Sequence, residues 1–180
     1  MEFVQKSQKD IWQTPPEVYE PIREKEGCID LDPCAAENTN IAQNNYTLPE
    51  DDGLLNDWFG ISFVNPPFSL KKEFLKKAVQ EYKYGNLKRA YILLPDSTDA
   101  KSWWHEYIAS EFEWSWFPEG RINYIDPDSK EQVSGVSFGS SVSVLGNPPE
   151  ELLYYWNKNG DVVHRPFVRG YDEGKGLFDY

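Results

Sequence analysis

The chain has 180 residues, 39% hydrophobic and 16% aromatic, which is long enough for one domain with a substantial core and too apolar for a disordered chain. Its net charge of −12 excludes indiscriminate attraction to polyanions but leaves room for a local basic face. No run of about 18 apolar residues marks a membrane span, and MEFVQKSQKD lacks the apolar centre of a secretory signal, so a cytoplasmic protein without membrane contact is expected.

Thr14-Pro15-Pro16-Glu17 reads as a helix start, with Thr as N-cap, Pro in the first turn and an acid at the positive end; the helix is predicted through Val18, Tyr19 and Ile22 to Gly27. Cys28 to Leu31 is a short strand closed by Asp32-Pro33. Cys28 and Cys34 lie six residues apart with no other Cys or clustered His, which favours a reduced pair and no metal set. Residues 35–53 are polar and read as loop or short helix.

Phe59 to Val64 is the second strand, and the two prolines of Asn65-Pro66-Pro67-Phe68 forbid its continuation. Phe74, Leu75, Ala78, Val79 and Tyr82 have helical spacing within 70–84. From Leu70 to Arg89 seven Lys or Arg residues face two Glu, a basic run whose plain reading is a solvated helix face. Ala90 to Leu94 is an apolar run of the buried-strand kind, ended by Pro95, and Ser102 to Ile108 is another helix. Phe112–Trp116, Arg121–Ile125 and Val136–Leu145 read as strands, the last two flanking a polar 126–135 loop. Asn147-Pro148-Pro149 repeats the earlier tripeptide but is followed by Glu150-Glu151, so it reads as a capped start to a helix ending near Trp156.

Alternation of strand and helix followed by a strand-rich end predicts an α/β fold. Its sheet is mostly parallel in the centre with a C-terminal antiparallel hairpin and helices on both faces. A single domain over 1–180 is expected, with its core in about 10–157 and a tail from 158.

Ligand sites in open α/β sheets collect at the carboxyl ends of strands. Three such ends carry distinctive residues: Asp32-Pro33-Cys34-Ala35, Asn65-Pro66-Pro67-Phe68 and Pro95-Asp96-Ser97-Thr98; Asp57-Trp58 lies just ahead of the second strand. Each alone has a bland reading as a turn, a surface acid or a strand breaker. The order Thr14-Pro15-Pro16, Asp32-Pro33-Cys34-Ala35, Asn56-Asp57-Trp58, Asn65-Pro66-Pro67-Phe68 resembles the amino-methyltransferases of DNA adenine, and more closely the phage-type DNA N-6-adenine methyltransferase (Dam) family. Leu94-Pro95, Trp103-Trp104, Gly120-Arg121-Ile122 and Phe138-Gly139-Ser140 extend the resemblance over roughly residues 10 to 145.

The resemblance implies a Rossmann-like methyltransferase fold, S-adenosylmethionine as donor, and N6 methylation of a flipped adenine in double-stranded DNA, at GATC by family habit. Asp32 is suited to the donor's ammonium, Asp57 matches the family position for its adenine amino group, and Trp58 or a neighbouring aromatic would cover the ring. Thr14, Pro15 and the helix start would hold the methionine carboxylate, with Pro33, Cys34 and Ala35 forming the adjoining turn. Asn65 and the Pro66 carbonyl would accept from the adenine amine, Pro67 would hold them rigid, and Phe68 would stack on the base.

The glycine-rich turn usual after the first strand of methyltransferases is replaced here, which weakens a nicotinamide or flavin reading. The ribose partner stays open among Glu37, Asp51 and Asp52. Lys71, Lys72, Lys101, Arg121 and the 126–135 loop are the candidate DNA contacts. No metal is required, and the oligomeric state, monomer or weak dimer, stays open. Rival readings are methylation of RNA adenine, methylation of a protein glutamine amide, and a catalytically silent decoy on the same scaffold.

Overall fold

In the computed structural model, which describes residues 10–134 and 136–166, seven strands form one sheet. They are β1 (Leu31–Asp32), β2 (Asn44–Asn45), β3 (Gly60–Val64), β4 (Leu87–Pro95), β5 (Trp114–Pro118), β6 (Ser140–Leu145) and β7 (Gly160–His164). Their order is β2-β1-β3-β4-β6-β5-β7. The first four run parallel; β6, β5 and β7 complete the sheet in antiparallel pairing. This is the Rossmann-like arrangement that the resemblance implied.

Helices cover both faces because the strands bury both sets of alternating side chains. Tyr91 and Leu93 of β4 pack, with Phe63, against Val18 and Ile22 of α1 (Pro16–Glu26) and Leu152 and Trp156 of α4 (Glu150–Lys158). Ala90, Ile92 and Leu94 point the other way. They meet Phe74, Leu75 and Ala78 of α2 (Lys71–Lys83) and Trp103, Trp104 and Ile108 of a π-helix, Lys101–Ile108, which runs on into α3 (Ala109–Glu111). The continuous apolar run in β4 follows from this two-sided burial.

Several elements differ from the sequence reading. β1 is confined to Leu31–Asp32 because the Asp30 side chain takes the neighbouring strand's donor: its Oδ2 accepts from Ile61 N–H at 2.7 Å. A Cβ on Gly60, at φ 60°, would sit 2.2 Å from that carboxylate oxygen, so glycine is required beside it. Residues 121–125 form no strand of the sheet; Ile125 only bridges to Gln13 and Gln132. The polar stretch after 158 contains β7, an edge strand on β5 in which no residue is fully buried, so no apolar run or alternation marked it. Residues 1–9, Gly135 of the expected loop and the tail from 167 lie outside the described residues.

Neither expected side-chain cap forms. Pro15 and Pro149, not Thr14 and Asn147, occupy the cap positions of α1 and α4. Asn147 instead ties β5 to β4: its Oδ1 accepts from Trp114 Nε1 at 3.2 Å and its carbonyl from Arg89 Nη1 at 2.5 Å. Asn147→Ala removes the first of these bonds only. Urea unfolding should show a loss of about 0.5–1.5 kcal/mol with an unchanged m-value.

Candidate active site

β2 and β3 lie on opposite sides of β1, so the strand order reverses at β1, and a crevice opens beyond the strand ends at such a reversal. A cleft of about 330 Å³ is found there, at the lower end of the roughly 300–1,000 Å³ usual for ligand pockets. Pro33, Cys34, Ala35, Ala36 and Glu37 enter from β1, and Tyr46, Thr47 and Leu48 from β2. Asn65 and Pro67 enter from β3; Leu70 and Phe74 follow them. Asp51, Asp52, Gly53 and Leu54 close one side and Ile11 another.

Asn65, half-buried, is oriented by its surroundings. Its Nδ2 donates to the Trp12 carbonyl at 2.6 Å and to Thr14 Oγ1 at 3.1 Å. A backbone carbonyl can only accept, so the amide nitrogen must face Trp12 and the side-chain oxygen is turned the other way. Pro66 is buried and Pro67 starts a short 3₁₀ turn, Phe68–Leu70. That turn is tied to the chain's first described residue: Phe68 N–H donates to the Asp10 carbonyl at 3.2 Å and Ser69 N–H to Asp10 Oδ1 at 2.8 Å.

Phe68 stands at the head of an aromatic row. Phe138 meets it edge-on, with ring centres 5.1 Å apart at 84°; Tyr124 lies 5.9 Å beyond Phe138, and Trp12 6.3 Å beyond Tyr124. The Tyr124 hydroxyl bonds Ser140 Oγ at 2.8 Å and is pushed up to about 12 by burial. Phe138 had no assigned role in the sequence; its only signal was membership of the Phe138-Gly139-Ser140 run.

Asp32 is 4% exposed and sits at the end of β1 beneath the Pro33 and Cys34 that line the cleft. Its Oδ1 accepts from Cys34 N–H at 3.1 Å, yet burial outweighs that bond and pushes its carboxyl up to about 7. Burial, with the Asp32 charge adding to it, also raises the Cys34 thiol, which keeps it protonated and unreactive. Thr14 and Pro15 are buried behind Asn65.

Asp57 and Trp58 are placed apart from the cleft lining. Asp57 is exposed on the entry side of β3, and its backbone carbonyl accepts from Tyr46 Oη at 2.8 Å. Trp58 is 1% exposed, packs on Phe74, and donates through Nε1 to the Gly53 carbonyl at 2.6 Å. It therefore supports the 51–54 loop from below. The carboxylates on the cleft are those of Glu37, Asp51 and Asp52.

The basic residues are mostly engaged within the chain. Lys71 Nζ donates to the Phe68 carbonyl at 2.7 Å and lies 5.6 Å from the centre of the Trp103 ring. Lys72 pairs with Glu106 at 2.8 Å, Lys77 with Glu81 at 2.5 Å and Lys83 with Glu111 at 2.8 Å. Arg121 donates to the Val136 carbonyl. Lys101 is exposed in a shallow depression with Ser102, His105 and Glu106. Within the run that looked like a basic stripe, Lys72 and Lys83 thus pair across the gap to the π-helix and α3, Lys77 pairs within α2, and Arg89 pairs with Glu26 of α1.

Comparison with known proteins identifies the family. A DNA N-6-adenine-methyltransferase of Escherichia phage T1 is 25% identical over 154 residues, covering 76% of this chain and 63% of that protein. One from Haemophilus phage HP1 is 28% identical over 130 residues, 71% of this chain and 73% of the relative. The chain thus spans under two thirds of the length of the first. Residues 2–164, which carry every strand described above, match the profile of one family, so the chain belongs to the DNA N-6-adenine-methyltransferase (Dam) family.

Proposed function

We propose that the protein transfers a methyl group from S-adenosylmethionine to the exocyclic amine of adenine in double-stranded DNA, the base being turned out of the duplex to reach the cleft. The observation that carries this reading is the fixed Asn65 amide, with its nitrogen bound to Trp12 and Thr14 and its oxygen left to accept. The adenine amine is a weak nucleophile because its lone pair is shared with the ring. The Asn65 oxygen and the Pro66 carbonyl would draw on its two hydrogens and stabilise the positive charge that grows on nitrogen. Phe68, held edge-on by Phe138, would stack on the extruded ring.

The cleft residues fit an adenosyl sulfonium donor. Apolar walls at Ile11, Ala35, Leu54 and Phe74 suit the adenine, while Glu37, Asp51 and Asp52 offer acceptors for hydroxyls and an amino group. Asp32 would hold the ammonium from the end of β1. Bound there, S-adenosylmethionine supplies an electrophilic methyl group on sulfur; the chain orients the amine and excludes water.

Tritiated methyl transfer onto unmethylated duplex DNA, followed by base analysis, tests the proposal. Label in N6-methyladenine is expected; label on RNA alone, on protein, or on no acceptor would overturn it. Methylome sequencing of the product would show whether GATC, the site implied by family habit, is the target.

Asp32 gives donor binding a defined pH dependence. Its carboxyl is raised to about 7, so in the folded protein it is largely protonated below that pH. The sign for folding follows: the buried neutral acid stabilises the fold most at low pH, and this contribution is lost as pH rises through about 7. A cationic donor needs the charged form. Its affinity should therefore rise by up to about tenfold per pH unit below 7, level off above it, and be accompanied by proton release. Calorimetry in buffers of different ionisation enthalpy measures that proton. Asp32→Asn should bind weakly with a flat pH profile, and a wild-type profile without slope between pH 5.5 and 7 would remove Asp32 from the donor site.

A further inference from the structure

An asparagine amide turns easily about its last torsion, which is broad and nearly two-fold. A catalytic reading of Asn65 requires that its oxygen, not its nitrogen, be presented, and that the plane of the amide be held. Two acceptors on the protein side do this. The Trp12 carbonyl, at 2.6 Å from Nδ2, decides which end faces inward, because it cannot donate. The Thr14 hydroxyl oxygen, at 3.1 Å, is the second acceptor on the same nitrogen, so that both amide hydrogens have partners.

Thr14 is well placed for that task, because its Oγ1 already accepts from Asn65 Nδ2 at 3.1 Å. It is 5% exposed, and the cleft lining includes Asn65 but not Thr14. The threonine is itself fixed: Gln13, its neighbour, exchanges both backbone hydrogen bonds with Ile125 at 3.0 Å, and Pro15, the cap residue of α1, follows directly after it. We infer that Thr14 is a positioning residue for methyl transfer, its hydroxyl oxygen acting with the Trp12 carbonyl to lock the Asn65 amide with the oxygen towards the target amine. This rests on the reading of Asn65 given above, and it moves Thr14 from the donor's carboxylate, where the family resemblance put it, to the acceptor side of the reaction.

Thr14→Val keeps the shape of the side chain but leaves one amide hydrogen unpaired and the amide held at one point instead of two. The single-turnover rate on pre-bound duplex DNA should fall about tenfold, less than the roughly 10²–10³ expected on losing Asn65 itself, because Trp12 still holds one hydrogen. Affinity for S-adenosylmethionine, measured by calorimetry, should be unchanged. Thr14→Ser, which retains the oxygen, should restore the rate; Thr14→Ala repeats the loss should the valine variant fail to fold. A weakened donor affinity with an unchanged single-turnover rate would return Thr14 to the donor site and overturn the inference. So would a wild-type rate in both Thr14→Val and Thr14→Ala, or failure of Thr14→Ser to recover it. Asn65→Ala in the same assay separates the two levels: wild-type transfer there refutes the reading of Asn65, whereas its loss beside an active Thr14→Val refutes only the role of Thr14.

Discussion

Asn65→Ala should lower methyl transfer about 10²–10³-fold while leaving affinity for S-adenosylmethionine nearly intact. The asymmetry follows from the two directions in which the side chain works. Its nitrogen is consumed by Trp12 and Thr14, so its oxygen is the only group it can offer to a substrate. An acceptor aimed at an amine counts most when that amine becomes positive, which happens at the transition state and not on binding. Loss of kcat without loss of donor affinity is the signature of such an interaction. Asn65→Asp is a sharper probe. A carboxylate has no N–H for the Trp12 carbonyl, which would then face an oxygen, and only the Thr14 hydroxyl could turn to donate to it, so the variant should stay well below wild type although it restores an acceptor. Turnover near wild type in either variant would sink the mechanism.

Local chemistry made part of this molecule legible. The end of β3 was marked by two prolines, and β4 by an apolar run that only two-sided burial explains. The coarse α/β alternation was readable for the same reason. What escaped depended on tertiary partners. A side-chain oxygen of Asp30 shortens β1, and β7 is a five-residue edge strand with no fully buried side chain, so it carries no core signal. Asp57-Trp58 carried a sequence resemblance, but the buried Trp58 proves to be the strut of a loop whose own Asp51 and Asp52 reach the cleft. The basic run of 70–89 illustrates the same limit: its acidic partners, Glu106 and Glu111, come from a helix more than 20 residues away in sequence.

That loop carries the second large effect. Gly53 packs so closely on the end of β1 that a Cβ there would lie 1.7 Å from the Pro33 carbonyl oxygen and 2.7 Å from its carbon. These are backbone atoms at the C-terminal end of a buried strand, so they cannot swing aside as a side-chain tip would. The loop cannot retreat cheaply either. Its Gly53 carbonyl is bound by Trp58 Nε1 at 2.6 Å, and Leu54 N–H donates to Asp52 Oδ1 at 2.8 Å. Gly53→Ala must therefore break one of these anchors or displace Pro33, which lies directly after Asp32. Overpacking of this sort typically costs about 1–3 kcal/mol, and contact with a backbone oxygen belongs at the top of that range. Because Pro33, Asp51, Asp52 and Gly53 all line the cleft, much of the strain should appear as lost donor binding, about 10–100-fold at roughly 1.4 kcal/mol per decade. Gly85 supplies the control. It has φ 83° but nothing within 4 Å of its would-be Cβ, so Gly85→Asn, a residue tolerant of that conformation, should leave both melting and donor affinity close to wild type. Thermal melting and calorimetry on the pair decide the matter. A Gly53→Ala protein that melts lower yet binds S-adenosylmethionine normally would place the donor site outside this cleft.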